Sequence, residues 1–326
     1  GVRVKLPLTR SYFICTTARS GSNLLCELLI NTRLAGHPRE YFYEEFWPIW
    51  LDSFKAFSFP DYFQKVLHTT STPNGVFGAK LMGGKYFTDF VDRLRQLPYY
   101  ENKDISTPEL LADAIPNLKY IWLTRRNKIR QAISLSRALQ SGVWRSDQVK
   151  PEKENLTFNF KTINDWILTL TLQETGWQEY FTEANITPLT LVYEDFSQDP
   201  EETVRRVLDY LDIAVPPGLT LGETKQKKLA DSTSEKWFQQ YQNCFQEGVR
   251  NDEECNERLK QERQKIEEEF NQRFEQERQK IEEEFNQRFE QEYHRIVSNF
   301  SGENIARQIP IKKLIKAIGF KIAAKP

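Results

Sequence analysis

Hydrophobic and polar positions alternate along the first two thirds of the chain in a way that predicts strands interleaved with helices. Residues 12–17 are dominated by aromatic, Ile and Thr side chains that favour a pleated strand, whereas Leu24, Leu25, Leu28 and Leu29 fall on one helical face. A second short strand is expected at 76–82, VFGAKLM, and a helix from Tyr86 to Leu97, closed by Pro98. Leu118 to Thr124, LKYIWLT, is a continuous apolar run of the kind found in a strand buried on both faces. Helical spacing resumes from Ile129 to Leu139 and from Asn159 to Glu183. A fourth strand is expected at 187–193, followed by a helix from Pro200 to Leu211. Gly36 to Pro60 is rich in Phe, Tyr and Trp and reads as irregular. Strands alternating with helices predict an α/β fold, a parallel sheet flanked by helices, with ligands at the carboxyl ends of the strands.

Beyond Asp231 the pattern changes. Residues 261–275, QERQKIEEEFNQRFE, recur unchanged at 276–290. Ile266, Phe270, Phe274, Ile281, Phe285 and Phe289 form a narrow apolar stripe on a long charged helix. Its 15-residue repeat exceeds the period of a straight helix and favours a right-handed supercoil between paired helices. Two readings stay open, a solvated helix lying on the body and a coiled coil making a homo-oligomer through 257–300. The tail 310–325, PIKKLIKAIGFKIAAK, is a basic amphipathic helix suited either to an anionic membrane surface or to packing on protein.

Charge sharpens this division. Residues 251–300 hold 15 acidic and 9 basic side chains, 301–326 hold 1 and 6, and 1–250 are neutral, so the body lacks the basic excess of a nucleic-acid binder. The four cysteines, Cys15, Cys26, Cys244 and Cys255, form no CxxC pair and the three histidines are scattered, which gives a structural zinc site no support. Cys15 and Cys26 sit at apolar positions and are expected as buried thiols in a reducing compartment. No apolar run is long enough to span a bilayer and the start lacks the apolar core of a signal peptide. A cytoplasmic protein is expected, peripheral at the inner face of the membrane if the tail binds there. The absence of an initiator Met suggests a piece of a longer protein.

The chemistry concentrates in two strand-to-helix turns. Arg19-Ser20-Gly21-Ser22-Asn23 supplies a cation, two hydroxyls and close backbone approach where a helix begins, the ingredients of a phosphate site. It is not a Walker A loop, which needs GxxxxGK[ST], so a nucleotide hydrolase or kinase is disfavoured. The second turn, Arg125-Arg126-Asn127, precedes a helix carrying Ser134. Arg126 and Ser134 lie eight residues apart across that junction, where both can reach one phosphate. Two separate anion sites suit 3′-phosphoadenosine 5′-phosphosulfate (PAPS).

RSGSNLLCELLINTRLAGHPREYF resembles the opening motif of the bacterial trehalose 2-sulfotransferase-like family, PAPS-dependent sulfotransferases. GVFGAKLM, IWLTRRNKIRQAISLSRALQ and LVYEDFSQDPEETVRRVLDYL are similar to its later blocks in the same order, and together they cover most of 10–240. The resemblance implies a P-loop-like sulfotransferase domain over 1–250, followed by the charged arm 251–300 and the basic tail 301–326. It implies that Arg19, Ser20, Gly21, Ser22 and Asn23 form the 5′-phosphosulfate loop, with Arg19 catalytic as well. Arg126 and Ser134 would hold the 3′-phosphate, and Glu40 would be the general base toward a hydroxyl of a saccharide or glycolipid, with no metal required. Lys80, His37 and Arg145 are the further candidates near the acceptor. His37 stands where the mycobacterial type has an acid contacting trehalose, and Asn23 replaces a hydroxyl common in the loop. Glu194 and Asp195 read as structural, capping the helix that follows them. The alternative is a coiled-coil assembly or membrane-docking module on a degenerate nucleotide-binding fold.

Overall fold

The computed structural model describes residues 8–144, 156–222, 232–248 and 262–280, with a few further positions up to 291. Arg145, the 310–325 tail and residues 281, 282, 284, 285 and 288–290 of the second repeat copy lie outside the described residues. The chain begins with β1 (Arg10–Thr16) and α1 (Ser22–Thr32), then a short 3-10 turn (Glu44–Phe46), α2 (Trp47–Ser53), α3 (Phe59–Thr69) and β2 (Val76–Met82). It continues with α4 (Lys85–Arg95), α5 (Thr107–Ala114), β3 (Leu118–Thr124), α6 (Lys128–Ser141) and α7 (Phe160–Glu183). Last come β4 (Leu189–Val192), α8 (Tyr193–Phe196), α9 (Pro200–Tyr210) and α10 (Ser232–Gly248). Two compact units divide the chain, 1–44 with 67–256, and 45–66 with 257–326.

The first unit is built on a four-stranded sheet in the order β2-β1-β3-β4. Every pairing is parallel, with Ile14 opposite both Lys80 and Ile121, and Leu123 opposite Leu191. Helices cover both faces, which is why β1 is buried along nearly its whole length. On one face Tyr12 and Ile14 pack with Leu25 and Leu29 of α1 and Val204 and Val207 of α9. Phe13 points the other way, its ring edge-on to Phe90 of α4 at 6.0 Å and to Tyr120 at 6.2 Å. A second core joins α6, α7 and α10 through Ile133, Ile163, Leu170, Trp237 and Tyr241. Cys15 and Cys26 are buried free thiols, and burial pushes the Cys26 thiol up to about 11.

The segment 36–60 is more regular than its composition suggests. It contains α2 and the start of α3, and within the second unit the Trp47 ring lies 5.0 Å from Phe59 while Phe54 meets Tyr62 edge-on. Trp47, Phe54, Phe59 and Tyr62 therefore form a small core of their own, while Phe42 stacks on Phe90 of α4. Residues 262–280 form a continuous helix that is exposed throughout, with Ile266, Phe270 and Phe274 on its surface and the Phe270 and Phe274 rings stacked at 6.2 Å.

Candidate active site

From β1 the chain passes to β2 on one side of the sheet, while β3 lies on the other. The crevice at the carboxyl ends of β1 and β3 is thus a topological switch point, the usual ligand position in such sheets. Both polar turns open there.

The first turn is fixed from below by buried polar contacts. Thr16 Oγ1 donates to the Leu123 carbonyl at 2.8 Å and lies 2.5 Å from Ser20 Oγ. Gln131 Nε2, from α6, donates to Thr17 Oγ1 at 2.9 Å and to the Ala18 carbonyl at 2.7 Å. Trp177 Nε1 donates to the Thr16 carbonyl at 2.9 Å. Ser20 is fully buried, so its hydroxyl holds the turn to β1 and β3. Arg19 and Gly21 take left-handed backbone, with φ of 62° and 88°. Gly21 is also the N-cap of α1 and brings no side-chain cap, leaving the first-turn N–H groups to the crevice.

Glycine is required at position 21 for a second reason: a Cβ there would come within 2.3 Å of the Tyr193 ring. Left-handed backbone costs an L-residue about 1–2 kcal/mol and an overpacked contact about as much again. Gly21→Ala is accordingly expected to lower unfolding stability by about 2–4 kcal/mol in a urea titration.

Arg19 reaches across to the second turn. Its Nε donates to Ser134 Oγ at 2.9 Å and its Nη1 to the Trp144 carbonyl at 2.5 Å. Arg125 Nη1 donates to the Arg19 carbonyl at 3.0 Å, and its guanidinium stacks on Tyr193, 4.7 Å from the ring centroid. Burial, with the nearby charges of Arg125 and Arg137, pulls the Arg19 guanidinium down to about 10, still far above neutral. Burial also lowers Arg125. Two crowded, partly desolvated cations at an uncapped helix N-terminus make a site that gains from an anion.

The neighbouring arginine behaves differently. Arg125 is 14% exposed and Arg126 is 63% exposed, and Arg126 Nη2 is held by both Asp195 oxygens at 3.2 and 2.9 Å. The structure brings Ser134 to Arg19, and it places Arg126 against Asp195. Glu194 holds the turn ahead of α6, the helix before it in sequence, by accepting from the Arg126 and Asn127 backbone N–H groups at 2.9 and 3.0 Å, while Asn127 itself caps α6. That corrects the expectation that it caps the helix following it. Burial opposes the charge on Glu194, and backbone N–H bonds together with the Arg125 charge outweigh it, so its carboxyl titrates below the usual range.

On the other side of the crevice lies Glu40. The backbone N–H of Lys80 donates to the Arg39 carbonyl at 2.9 Å, which lays the 37–40 segment along the open edge of β2. Lys80 Nζ then stands 3.0 Å from Glu40 Oε1 and donates to Asn23 Oδ1 at 2.7 Å. One ammonium thus connects the start of α1 to the acid. His37 is exposed and turned to the adjacent loop, its backbone N–H donating to the Thr70 carbonyl at 2.9 Å with ring Nδ1 3.1 Å from the same oxygen.

Sequence reasoning passed over Arg125, Tyr193 and Gln131, all of which shape the first turn. Only the pair of arginines gave a signal, and it does not say which of the two is buried. Among the described residues no group of three or more His, Cys, Asp or Glu is placed to hold a metal ion. No helix among them is long and apolar enough to cross a membrane.

Comparison with known proteins points one way. A trehalose 2-sulfotransferase of Mycolicibacterium smegmatis is 29% identical over 263 residues, covering 71% of this chain and 94% of the relative. The trehalose 2-sulfotransferase of Mycobacterium tuberculosis is 27% identical over 257 residues, with the same coverage. Among solved structures, a sulfotransferase from Alicyclobacillus acidocaldarius matches with a TM-score of 0.42 and 12% identity over 74% of this chain and 93% of that one. The sulfotransferase domain of the curacin biosynthetic pathway gives 0.36 and 14% over 65% and 76%. The Stf0 sulphotransferase family model matches residues 11–244, from β1 into α10 and through both turns, and on that match the chain belongs to the Stf0 sulphotransferase family.

Proposed function

We propose that the chain transfers a sulfuryl group from PAPS to a hydroxyl of a saccharide or glycolipid, with Glu40 as general base. The observation that carries this reading is the adjacency of an anion-seeking turn and an acid: Arg19 and Arg125 crowd the uncapped start of α1, and Lys80 links Asn23 of that same start to Glu40. The relatives named for trehalose sulfation support a saccharide acceptor.

The charge of the donor residues suits such a molecule. Arg19, Ser22 and the N–H groups of the first turn of α1 would hold the phosphosulfate end, and Ser134 and Arg126 the 3′-phosphate. PAPS supplies a sulfuryl group on a phosphate that leaves readily. Glu40 accepts the proton of the acceptor hydroxyl as its oxygen bonds to sulfur. Arg19 and the helix N-terminus offset the negative charge that gathers on the departing phosphate. Tyr193, stacked on Arg125 and packed beside Gly21, covers one face of the Arg125 guanidinium.

Arg126 must exchange Asp195 for the 3′-phosphate, both being exposed, so the exchange is inexpensive. Isothermal calorimetry with the desulfated product, adenosine 3′,5′-bisphosphate, tests this. Binding is expected for the wild type, weakened about tenfold or more in Arg126→Ala, the loss of a charge-assisted phosphate contact. Binding unchanged by that substitution would remove Arg126 from the 3′-phosphate.

A further inference from the structure

Asn23 is where the sequence departs from the hydroxyl residue of the resembling motif, and it is also where α1 touches the other half of the crevice. Lys80 is 5% exposed, yet it carries a charge on the inner side of β2. A buried ammonium is tolerated only where acceptors and an opposite charge receive its protons. Two positions do so here, Asn23 Oδ1 at 2.7 Å and Glu40 Oε1 at 3.0 Å. The backbone contributes a third fixed point, since the Lys80 N–H holds the Arg39 carbonyl at 2.9 Å. The register is fixed as well, because Lys80 lies opposite Ile14 in β1, whose strand runs directly into the turn that starts α1.

We propose that Asn23 is a positioning residue which, through Lys80, couples occupancy of the anion turn to the placement of Glu40. This rests on the reading of Glu40 as the base and of 19–23 as the donor turn. Asn23 sits in the first turn of α1, two residues beyond the N-cap Gly21. An anion drawn onto that turn orders the start of the helix and with it the Asn23 amide. Lys80 cannot leave Asn23 without losing a hydrogen bond in a buried place, so it is fixed in turn, and Glu40 is held beside it. A hydroxyl at position 23 would end one bond closer to the backbone than the Asn23 amide oxygen. In this chain, then, the carboxylate on the acceptor side senses whether the donor turn is filled, and neither Asn23 nor Lys80 needs to touch the acceptor to have that effect.

The test is hydrogen–deuterium exchange of the full chain with and without saturating adenosine 3′,5′-bisphosphate, alongside calorimetry of the same ligand. In the wild type the ligand is expected to slow exchange both at 19–26 and at 37–42, the second by about tenfold, an ordinary coupling between linked sites. In Asn23→Ala the ligand still binds and still protects 19–26, but protection at 37–42 disappears. Asn23→Asp keeps the acceptor oxygen and restores it, although the added charge weakens binding. Lys80→Met abolishes the protection at 37–42 irrespective of position 23. Equal protection of 37–42 in wild type and Asn23→Ala overturns the coupling while leaving the donor reading intact. Absence of any binding to the wild type overturns the donor reading and the coupling together.

Discussion

Glu40→Gln is expected to lower the rate of sulfuryl transfer by about a thousandfold, within the range that a positioned general base contributes. The substitution keeps the shape of the side chain and an oxygen for Lys80 Nζ, which lies 3.0 Å from Oε1, and removes the capacity to take a proton together with the charge that faces Lys80. Affinity for adenosine 3′,5′-bisphosphate should change far less than the rate, because Asn23 Oδ1 still receives Lys80 Nζ and the Arg19 side chain is untouched, while folding stability falls as the buried Lys80 ammonium loses its opposite charge. The loss therefore falls on kcat, and single-turnover kinetics with labelled PAPS separates it from binding. Full turnover in Glu40→Gln would assign the base elsewhere.

Arg19→Ala should be nearly as damaging, lowering transfer by about a hundredfold to a thousandfold, the usual cost of losing a fixed group that meets developing charge. Two features make Arg19 more than a surface cation. Its side chain is tied to Ser134 and the Trp144 carbonyl, and its own carbonyl is tied to Arg125, so the guanidinium is already oriented. It is also partly desolvated, which strengthens its interaction with an incoming negative charge. Arg19→Lys keeps the charge without the fork that spans Ser134 and Trp144, and should recover only part of the rate. A rate in Arg19→Lys equal to that in the wild type would show that charge alone suffices.

Most of the sheet can be read from the sequence because its strands are buried runs with little competing chemistry. Val76–Met82 and Leu118–Thr124 fall where their apolar runs place them. The fourth strand ends at Val192, before Tyr193, because that ring is withdrawn to pack on Gly21 and Arg125. α5 is not evident from periodicity although Ser106 and Glu109 form a complete capping box, since it is only eight residues long. α2 and α3 were hidden by aromatic crowding, which follows no helical period over so short a stretch.

Within the site, residue types were legible and pairings were not. Arg19 and Glu40 stand out in the opening motif. Nothing local says that Arg125 turns inward under Arg19 while Arg126 turns outward to Asp195; that depends on where β4 delivers Tyr193 and Glu194. Likewise the contact of Asn23 with Lys80, 57 residues away, follows from the parallel register of β1 and β2, which no single stretch encodes.

The central claim is sulfuryl transfer from PAPS to a sugar hydroxyl. The direct measurement is incubation of the full chain with sulfur-labelled PAPS and a panel of free saccharides and glycolipids, trehalose included, followed by chromatography and mass spectrometry of the products. Label is expected on a hydroxyl oxygen of at least one sugar, formed together with adenosine 3′,5′-bisphosphate and lost in Glu40→Gln. Label that stays on the donor with every acceptor, or transfer that persists undiminished in Glu40→Gln, would contradict it.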